Sequence, residues 1–376
     1  MSAPLHLAYL SLETPRQGQA SYTHIHEIIA ALKGFGWDVT LFASKAGGAS
    51  SNGSKWRRIL DYIRVQFRLI VKLRDFDAVF VRSHPAALPA SLLARLWGVP
   101  VYQEVNGIDA DLWVSYPRLA VLKPLISGLY RSQYRYAEHL FCVTDGLALW
   151  ARDFAGHDRV SVVPNGANTA VFRPEGPKHE AECPYLLFVG GLVRWHGIAT
   201  MIEATKDPQW PKGIELCLVG DGIERKQVKA ALGTGPIRWI PSVPYEQVPD
   251  YLRGTIGAIC MIEDPQGRSA HGVAPLKLFE AMATGAPVVV SDLPYQADLV
   301  RSVECGIVVA AGDSAGLARA AALLSENAGL QKTLGSRGAN YVHKSASWHE
   351  RARVLHEVMS KIAFAEGTHN EARYLS

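Results

Sequence analysis

The feature that most limits the fold is an alternation of short β-branched runs with helix-forming stretches. Residues 5–10 read as a strand, 18–21 as a small-residue turn and 22–33 as a helix, and Gly34 and Gly36 break the pattern before a second strand at 38–42. Strand, helix, strand in that order is a βαβ unit, and such units build parallel sheets. Further runs at 78–81, 99–102, 139–143 and 160–163 are each followed by a turn or helix signal. Between Pro174 and Pro184 the chain turns polar, with the composition of a linker. The alternation then restarts, with strands expected at 185–189, 215–219, 237–240, 258–262, 288–290 and 306–309. The expected fold class is α/β, with two doubly wound domains at 1–173 and 184–347 and a linker at 174–183. Such domains place a ligand cleft between them, at the carboxyl ends of the strands. Residues 348–362 read as an amphipathic helix, and the segment 348–376 is expected to pack back on the first domain.

Bulk properties exclude several classes. At 376 residues the chain buries a sizeable core, and its 48% hydrophobic and 20% charged content is that of an ordinary soluble protein. A net charge of +4 is too mild to argue for nucleic acid. The five cysteines are odd in number and form no C-x-x-C pair, so neither a zinc site nor a disulfide framework is expected. Reduced thiols fit a cytoplasmic location. Residues 1–12 lack the basic start of a signal peptide, and no run of 18 apolar residues suggests a membrane span.

Three strand-end motifs carry chemistry. In Gly272-Val-Ala-Pro-Leu-Lys277-Leu-Phe-Glu280, a lysine and a glutamate stand three residues apart at the start of a short helix that stops at Gly285. A helix N-terminus with a lysine favours phosphate, and a carboxylate can accept two hydrogen bonds from a ribose diol. In Phe188-Val-Gly190-Gly191-Leu-Val-Arg194-Trp-His196-Gly197, two glycines let backbone N–H groups approach a phosphate, while Arg194 and His196 offer charge. The bland reading is a strand–turn–helix corner where glycine only permits close packing. Gly220-Asp221-Gly222 ends another strand and is weak by itself. All three motifs follow strands of one sheet and so reach one edge. The pairs His24/His26 and His343/His349 lack metal-ligand spacing backed by carboxylates or cysteines, so no metal is expected.

With these residues in place the chain resembles the retaining glycosyltransferases of family 4, which have the two-Rossmann GT-B architecture. The carriers are Gly18-Gln-Ala-Ser-Tyr-Thr-His-Ile-His-Glu-Ile-Ile, Val163-Pro-Asn-Gly-Ala-Asn168-Thr-Ala-Val-Phe172-Arg-Pro, Val189-Gly-Gly-Leu with Trp195-His-Gly, Val219-Gly-Asp-Gly, and Phe279-Glu-Ala-Met-Ala-Thr-Gly-Ala-Pro-Val-Val. The resemblance implies transfer of a sugar from a UDP- or GDP-sugar to an acceptor hydroxyl, with retention and without bound metal or other cofactor. It implies that Glu280 holds the donor ribose, and that Gly220 and the 240–244 segment line the nucleobase pocket. Gly18 and its neighbour Gln19 correspond to the first-domain loop that approaches the diphosphate and acceptor, and Asp221, Val243, His271, Gly272, Val273 and Ala274 are further donor-binding candidates.

Three departures stand out. Gly272 occupies the place of the family's first, sugar-facing glutamate; Gly191 replaces its arginine; His196 replaces its lysine. Arg194 and Lys277 are the candidates to restore the lost charge, and Lys277 is counted with the catalytic residues. In the first half Glu104 and Asn106 follow a strand, and Asn106 takes the place of a family histidine near the anomeric carbon. Glu104 reads either as catalytic or as a solvated strand-end carboxylate. Arg82 and His84 end another strand and are the acceptor-side candidates, with a structural role as the alternative for His84.

Residues 55–74 carry a separate signal. Trp56, Ile59, Leu60, Ile63, Phe67, Ile70 and Val71 recur at helical spacing among seven basic residues and one acid, Asp61. The helix either lies on an anionic membrane surface or packs its apolar face on the first sheet. Residues 118–135 repeat the chemistry more weakly. The expected protein is a cytoplasmic glycosyltransferase at the inner face of a membrane, acting on a glycan, lipid-linked or small-molecule acceptor. A non-catalytic sugar-nucleotide-binding scaffold and a sugar-nucleotide epimerase of the same fold remain alternatives.

Overall fold

A computed structural model describes residues 4–14, 18–45, 55–263 and 267–374. Its contacts divide into two compact units, 1–164 with 349–376, and 165–348. The first holds a six-stranded parallel sheet in the order β2-β1-β3-β4-β5-β6. Its strands are β1 (Leu5–Ser11), β2 (Trp37–Ala43), β3 (Ala78–Arg82), β4 (Val101–Val105), β5 (His139–Cys142) and β6 (Val160–Val162). The second unit holds the order β12-β11-β10-β7-β8-β9, again parallel. Here β7 is Tyr185–Val189, β8 Glu215–Val219, β9 Ile237–Ile240, β10 Gly257–Cys260, β11 Val288–Ser291 and β12 Gly306–Val309. These are doubly wound α/β sheets, as the alternation of strands and helices predicts.

Each sheet has one point where its winding reverses, and ligands of such sheets sit at the strand ends beside it. In the first sheet that point lies between β1 and β3; in the second, between β7 and β10. The strand expected at 99–102 begins at Val101 instead. Pro100 has no N–H to give the ladder, although its carbonyl accepts from Val79 at 2.9 Å.

The unit boundary departs from the expected 173/174. Residues 165–173 belong with the second unit, where Ala167 bridges Ser347 and Phe172 is buried 5.3 Å from the Tyr245 ring. The helix Trp348–Tyr374 returns to the first unit: Trp37 Nε1–H donates to His356 Nδ1 at 3.0 Å, and Phe35 stacks on His349 at 4.6 Å. Among the described residues no helix is long and apolar enough to cross a membrane.

The helix Leu276–Ala283 is the element that matters most for the site. Six of its eight residues are buried, leaving only Lys277 and Glu280 half-buried. Residues three apart share one stripe of a helix, so burial alone fixes which way both polar groups face. The helix is set in depth by backbone contact with the helix Ala328–Ser345, since a Cβ at Gly335 would lie 1.9 Å from the Gly285 carbonyl oxygen. Gly335→Ala should therefore push the two backbones apart and destabilise the second unit by about 1–3 kcal/mol, the usual cost of overpacking. Chemical denaturation of the variant measures this loss.

Candidate active site

At the switch point of the second sheet, Lys277 occupies the first turn of its helix and reaches back toward the end of β7. Its Nζ lies 4.1 Å from the centre of the Phe188 ring, and a Cβ at Gly190 would stand 3.3 Å from it. The amine is buried and has no hydrogen-bond partner among the described residues. Burial lowers its pKa from 10.5 to about 8, against the raising effects of Cys260 and Glu280. An ammonium is seldom left buried and unpaired. This one is held over an aromatic face, next to a glycine whose missing side chain leaves the backbone accessible.

The glycines around it are dictated by close approach. Gly190 and Gly220 have φ values of 142° and 141°, and a Cβ at Gly220 would fall 1.9 Å from the Gly190 carbonyl oxygen. Trp239 Nε1–H donates to the Gly220 carbonyl at 2.9 Å, locking the β8 turn to β9. Gly191 is exposed, and its carbonyl accepts from the His196 Nδ1–H at 2.7 Å.

His196 does not supply the charge expected of it. Burial, reinforced by the neighbouring Lys277 charge, pushes it down to about 3, so the ring is neutral near pH 7. Arg194 lies 85% exposed, with its Nε 3.4 Å from Glu224. Asp221 spends its carboxylate locally, accepting from the Gly222 N–H at 2.7 Å and pairing with Arg225 at 3.1 Å. Of the cationic candidates in this unit, Lys277 is the one aimed at the glycine turn.

Glu280 accepts from the Tyr245 hydroxyl at 2.9 Å, and Tyr245 and Val243 pack against the core of the unit. The loop before the helix is tied at several points. Gly272, with φ 92°, donates to the Ser269 carbonyl at 2.8 Å, and Val273 donates to Pro294 at 3.1 Å. Asn165 donates to the Ala274 carbonyl at 2.6 Å. His271 ends the turn Arg268–His271 immediately before Gly272. Tyr295, which bridges Val273, holds φ 68° and ψ −60°, a costly conformation for a residue with a Cβ. Strand-end Glu263 was not singled out from the sequence; it accepts from the Thr200 hydroxyl beside the β10 end.

In the first unit Gly18 (φ 84°) and Gln19 are exposed just ahead of the helix Ala20–Gly34, with Gln19 as its N-cap residue. Glu104 on β4 is buried and filled with donors. Tyr9 donates its hydroxyl at 2.6 Å, His24 Nε2 lies 3.0 Å away, and Arg82 and the Asn106 amide both reach Oε1. Arg82 also pairs with Glu13 at 2.9 Å. Burial alone would raise the Glu104 pKa, but His24 and Arg82, with hydrogen bonds from His24 and Tyr9, hold it well below the usual carboxylate range. Burial and the Glu104 charge push the Tyr9 hydroxyl up. Glu104 is thus not the solvated carboxylate that was one reading of it.

His84 caps the short turn Pro85–Ala87 through Nδ1, which accepts from the Ala86 N–H at 3.2 Å, and burial lowers its pKa to about 4. The sequence does not single out Tyr9, and raises His24 only as a metal ligand to set aside. Both become legible only once β1, β4 and the first helix are known to meet at one carboxylate. Among the described residues no group of three or more His, Cys, Asp or Glu could hold a metal ion.

Glu104→Gln leaves Arg82 and His24 without the buried charge that faces them and should cost about 3–5 kcal/mol. The Glu104 carboxyl is depressed below its ordinary value of 4.5. Its stabilisation is therefore complete above that pH and lost as pH falls through the lowered folded value. Urea titrations from pH 3 to 7 should show an acid-sensitive component in the parent chain that the variant lacks.

Residues 22–171 match the model of Glycosyltransferase Family 4, and residues 183–327 match that of Glycosyl transferases group 1. The lipopolysaccharide core biosynthesis glycosyltransferase LpsE of Rhizobium meliloti is 27% identical over 237 residues, covering 59% of this chain and 67% of that protein. A phosphatidyl-myo-inositol mannosyltransferase of Mycobacterium leprae is 27% identical over 294 residues, covering 77% and 74%. Anabaena Alr3699/HepE, solved in complex with UDP-glucose, has a TM-score of 0.70 at 16% identity, over 95% of this chain and 100% of that one, and so shares the fold. The chain belongs to the GT-B glycosyltransferases, with a Glycosyltransferase Family 4 domain followed by a Glycosyl transferases group 1 domain.

Proposed function

We propose that this glycosyltransferase uses a nucleoside diphosphate sugar, UDP- or GDP-linked, and transfers the sugar to an acceptor hydroxyl with retention and without a metal ion. The observation that carries the donor half is the buried, unpartnered Lys277 amine facing the Gly190 turn. A diphosphate is the ligand that would complete it: ammonium, helix N-terminus and glycine backbone all favour a dianion. Glu280, already oriented by Tyr245, is the residue for the ribose diol. The 240–244 segment with Val243, Gly220 and Asp221 is the proposed base side, and 271–274 the proposed sugar side. The Anabaena relative of the fold is described with UDP-glucose, which supports a nucleotide sugar here.

In this reading the acceptor oxygen forms its bond to the anomeric carbon on the face from which the diphosphate leaves. The bond to the diphosphate oxygen breaks, and that oxygen takes the acceptor proton. Lys277 and the helix N-terminus hold the charge that develops on the leaving group. Saturation of Glu104 supports this route, because a carboxylate engaged by four donors is poorly suited to be a nucleophile. Its proposed role is instead to position Asn106, with Arg82 and His84 on the acceptor side and Gly18 and Gln19 leading into the helix that carries His24.

The curated relatives are named for lipopolysaccharide core and phosphatidyl-myo-inositol, so a lipid-linked glycan or inositol lipid is the proposed acceptor class. An anionic membrane surface met through 55–74 is part of the proposal, and unpaired thiols suit its cytoplasmic side.

Lys277→Met tests the donor site. Nucleotide affinity should fall by about 1.5–3 kcal/mol, the value of a charged hydrogen bond. The free chain should gain roughly 1–3 kcal/mol near pH 7, since a lysine depressed from 10.5 to about 8 pays for its burial below that pH. Calorimetry with UDP and GDP, paired with denaturation, reads both. Unchanged nucleotide binding would remove Lys277 from the site. Proton NMR of the first-formed product would show the donor's anomeric configuration, and an inverted product would exclude the retaining route.

A further inference from the structure

The helix Lys55–Ile70 has apolar side chains on two sides, one packed inward and one exposed. On one side Val65 and Leu69 are buried in the core of the first unit, with Tyr62 and Ile70 packed against it. A helix that docked only on its sheet would turn polar on its other side. Instead Trp56, Ile59, Leu60, Ile63 and Phe67 are exposed, Trp56 by 72% and Phe67 by 64%. An apolar row of this size on a soluble fold marks an interaction site.

The row continues onto its neighbours. Right-handed crossovers put the helices that follow β2, β3 and β4 on one side of the sheet, and they pack on one another in that order. Trp97, at the end of the helix Leu88–Leu96, is exposed, with the Arg74 guanidinium 5.7 Å from its ring centre. Val121, in the turn Pro117–Leu122, and Leu125, at the start of the helix Lys123–Tyr136, are exposed too, Val121 by 87%. Arg58 interacts with Tyr116 just ahead of them, after its stronger interaction with Tyr62.

Charge decides what covers this face. Arg57, Arg58, Arg64, Arg68 and Lys72 stand exposed among the apolar side chains. The acid of the helix, Asp61, is turned away, accepting from the Ser44 hydroxyl and from the Lys45 N–H at 2.9 Å. Exposed Trp, Phe and Leu interleaved with arginine suit the headgroup boundary of an anionic bilayer, where long basic side chains reach the lipid phosphates. We propose that this three-helix face of the first unit, and not the helix Lys55–Ile70 alone, is a docking surface for an anionic lipid membrane.

The face also borders the acceptor-side residues, a point that rests on the functional reading above. Tyr62 meets the His84 ring edge-on, with centroids 5.1 Å apart, and His84 follows Arg82 at the carboxyl end of β3.

Pelleting of the full chain with vesicles of phosphatidylglycerol and phosphatidylcholine, against phosphatidylcholine alone, tests the surface. The anionic vesicles should bind it, and Arg64→Gln with Arg68→Gln should weaken binding by roughly thirtyfold, from about 1 kcal/mol per basic residue near an anionic surface. Val121→Glu with Leu125→Glu should weaken it as well, although neither residue lies in the helix Lys55–Ile70. UDP and GDP affinity measured without vesicles should be the same in all these variants, so that failure here and failure of the donor site are separable. Equal binding to neutral vesicles would overturn the proposal. So would parent-like binding by the Val121/Leu125 variant, or a stable dimer in sedimentation that binds no lipid.

Discussion

The account depends on one interaction, the Lys277 ammonium held over the Phe188 ring with no hydrogen-bond acceptor among the described residues. Folding brings it there by necessity. Apart from Lys277 and Glu280 the helix Leu276–Ala283 is apolar and buried, and Gly335 lets a second helix touch its end. With the helix pinned, Lys277 can only face the β7 turn, where a side chain at Gly190 would crowd it. In the proposed reading, a bound diphosphate would offset the cost of burying this charge. A preorganised cation in a site of low polarity is worth more to a developing negative charge than one that must be drawn in from solvent.

The first unit solves the opposite problem. Glu104 also sits at a strand end, but every surrounding group has been arranged to satisfy it: Tyr9 from β1, His24 from the first helix, Arg82 from β3 and Asn106 just beyond β4. A saturated carboxylate rigidifies what it touches and has little left for a substrate. The contrast explains why the two charged residues carry different proposed roles. In the proposed function Lys277 receives the diphosphate, and Glu104 fixes the places of other groups.

Much of this was legible in the sequence. The strand runs appear where the alternation put them, because buried parallel strands must be short and β-branched. Lys277 and Glu280 were recognisable from spacing, since one helical stripe carries both. What spacing could not reveal was direction. Arg194 and His196 stand in the same motif, yet one turns out to Glu224 and the other is neutralised by burial beside Lys277. The network around Glu104 joins residues from four elements far apart in the chain, and no local pattern announces it. The helix Lys55–Ile70 was ambiguous for a related reason: its apolar residues span two faces, and only packing separates the buried Val65 and Leu69 from the exposed Trp56 and Phe67.

The central claim, that Lys277 is a buried cation held ready for a diphosphate, is tested most directly by side-chain NMR of its ammonium group. In the free protein it should titrate near the lowered value of about 8. Saturating UDP or GDP should move that titration upward by more than a unit, as a nearby dianion favours the charged form. A lysine that titrates at 10.5, its ordinary value, and ignores both nucleotides would contradict the account.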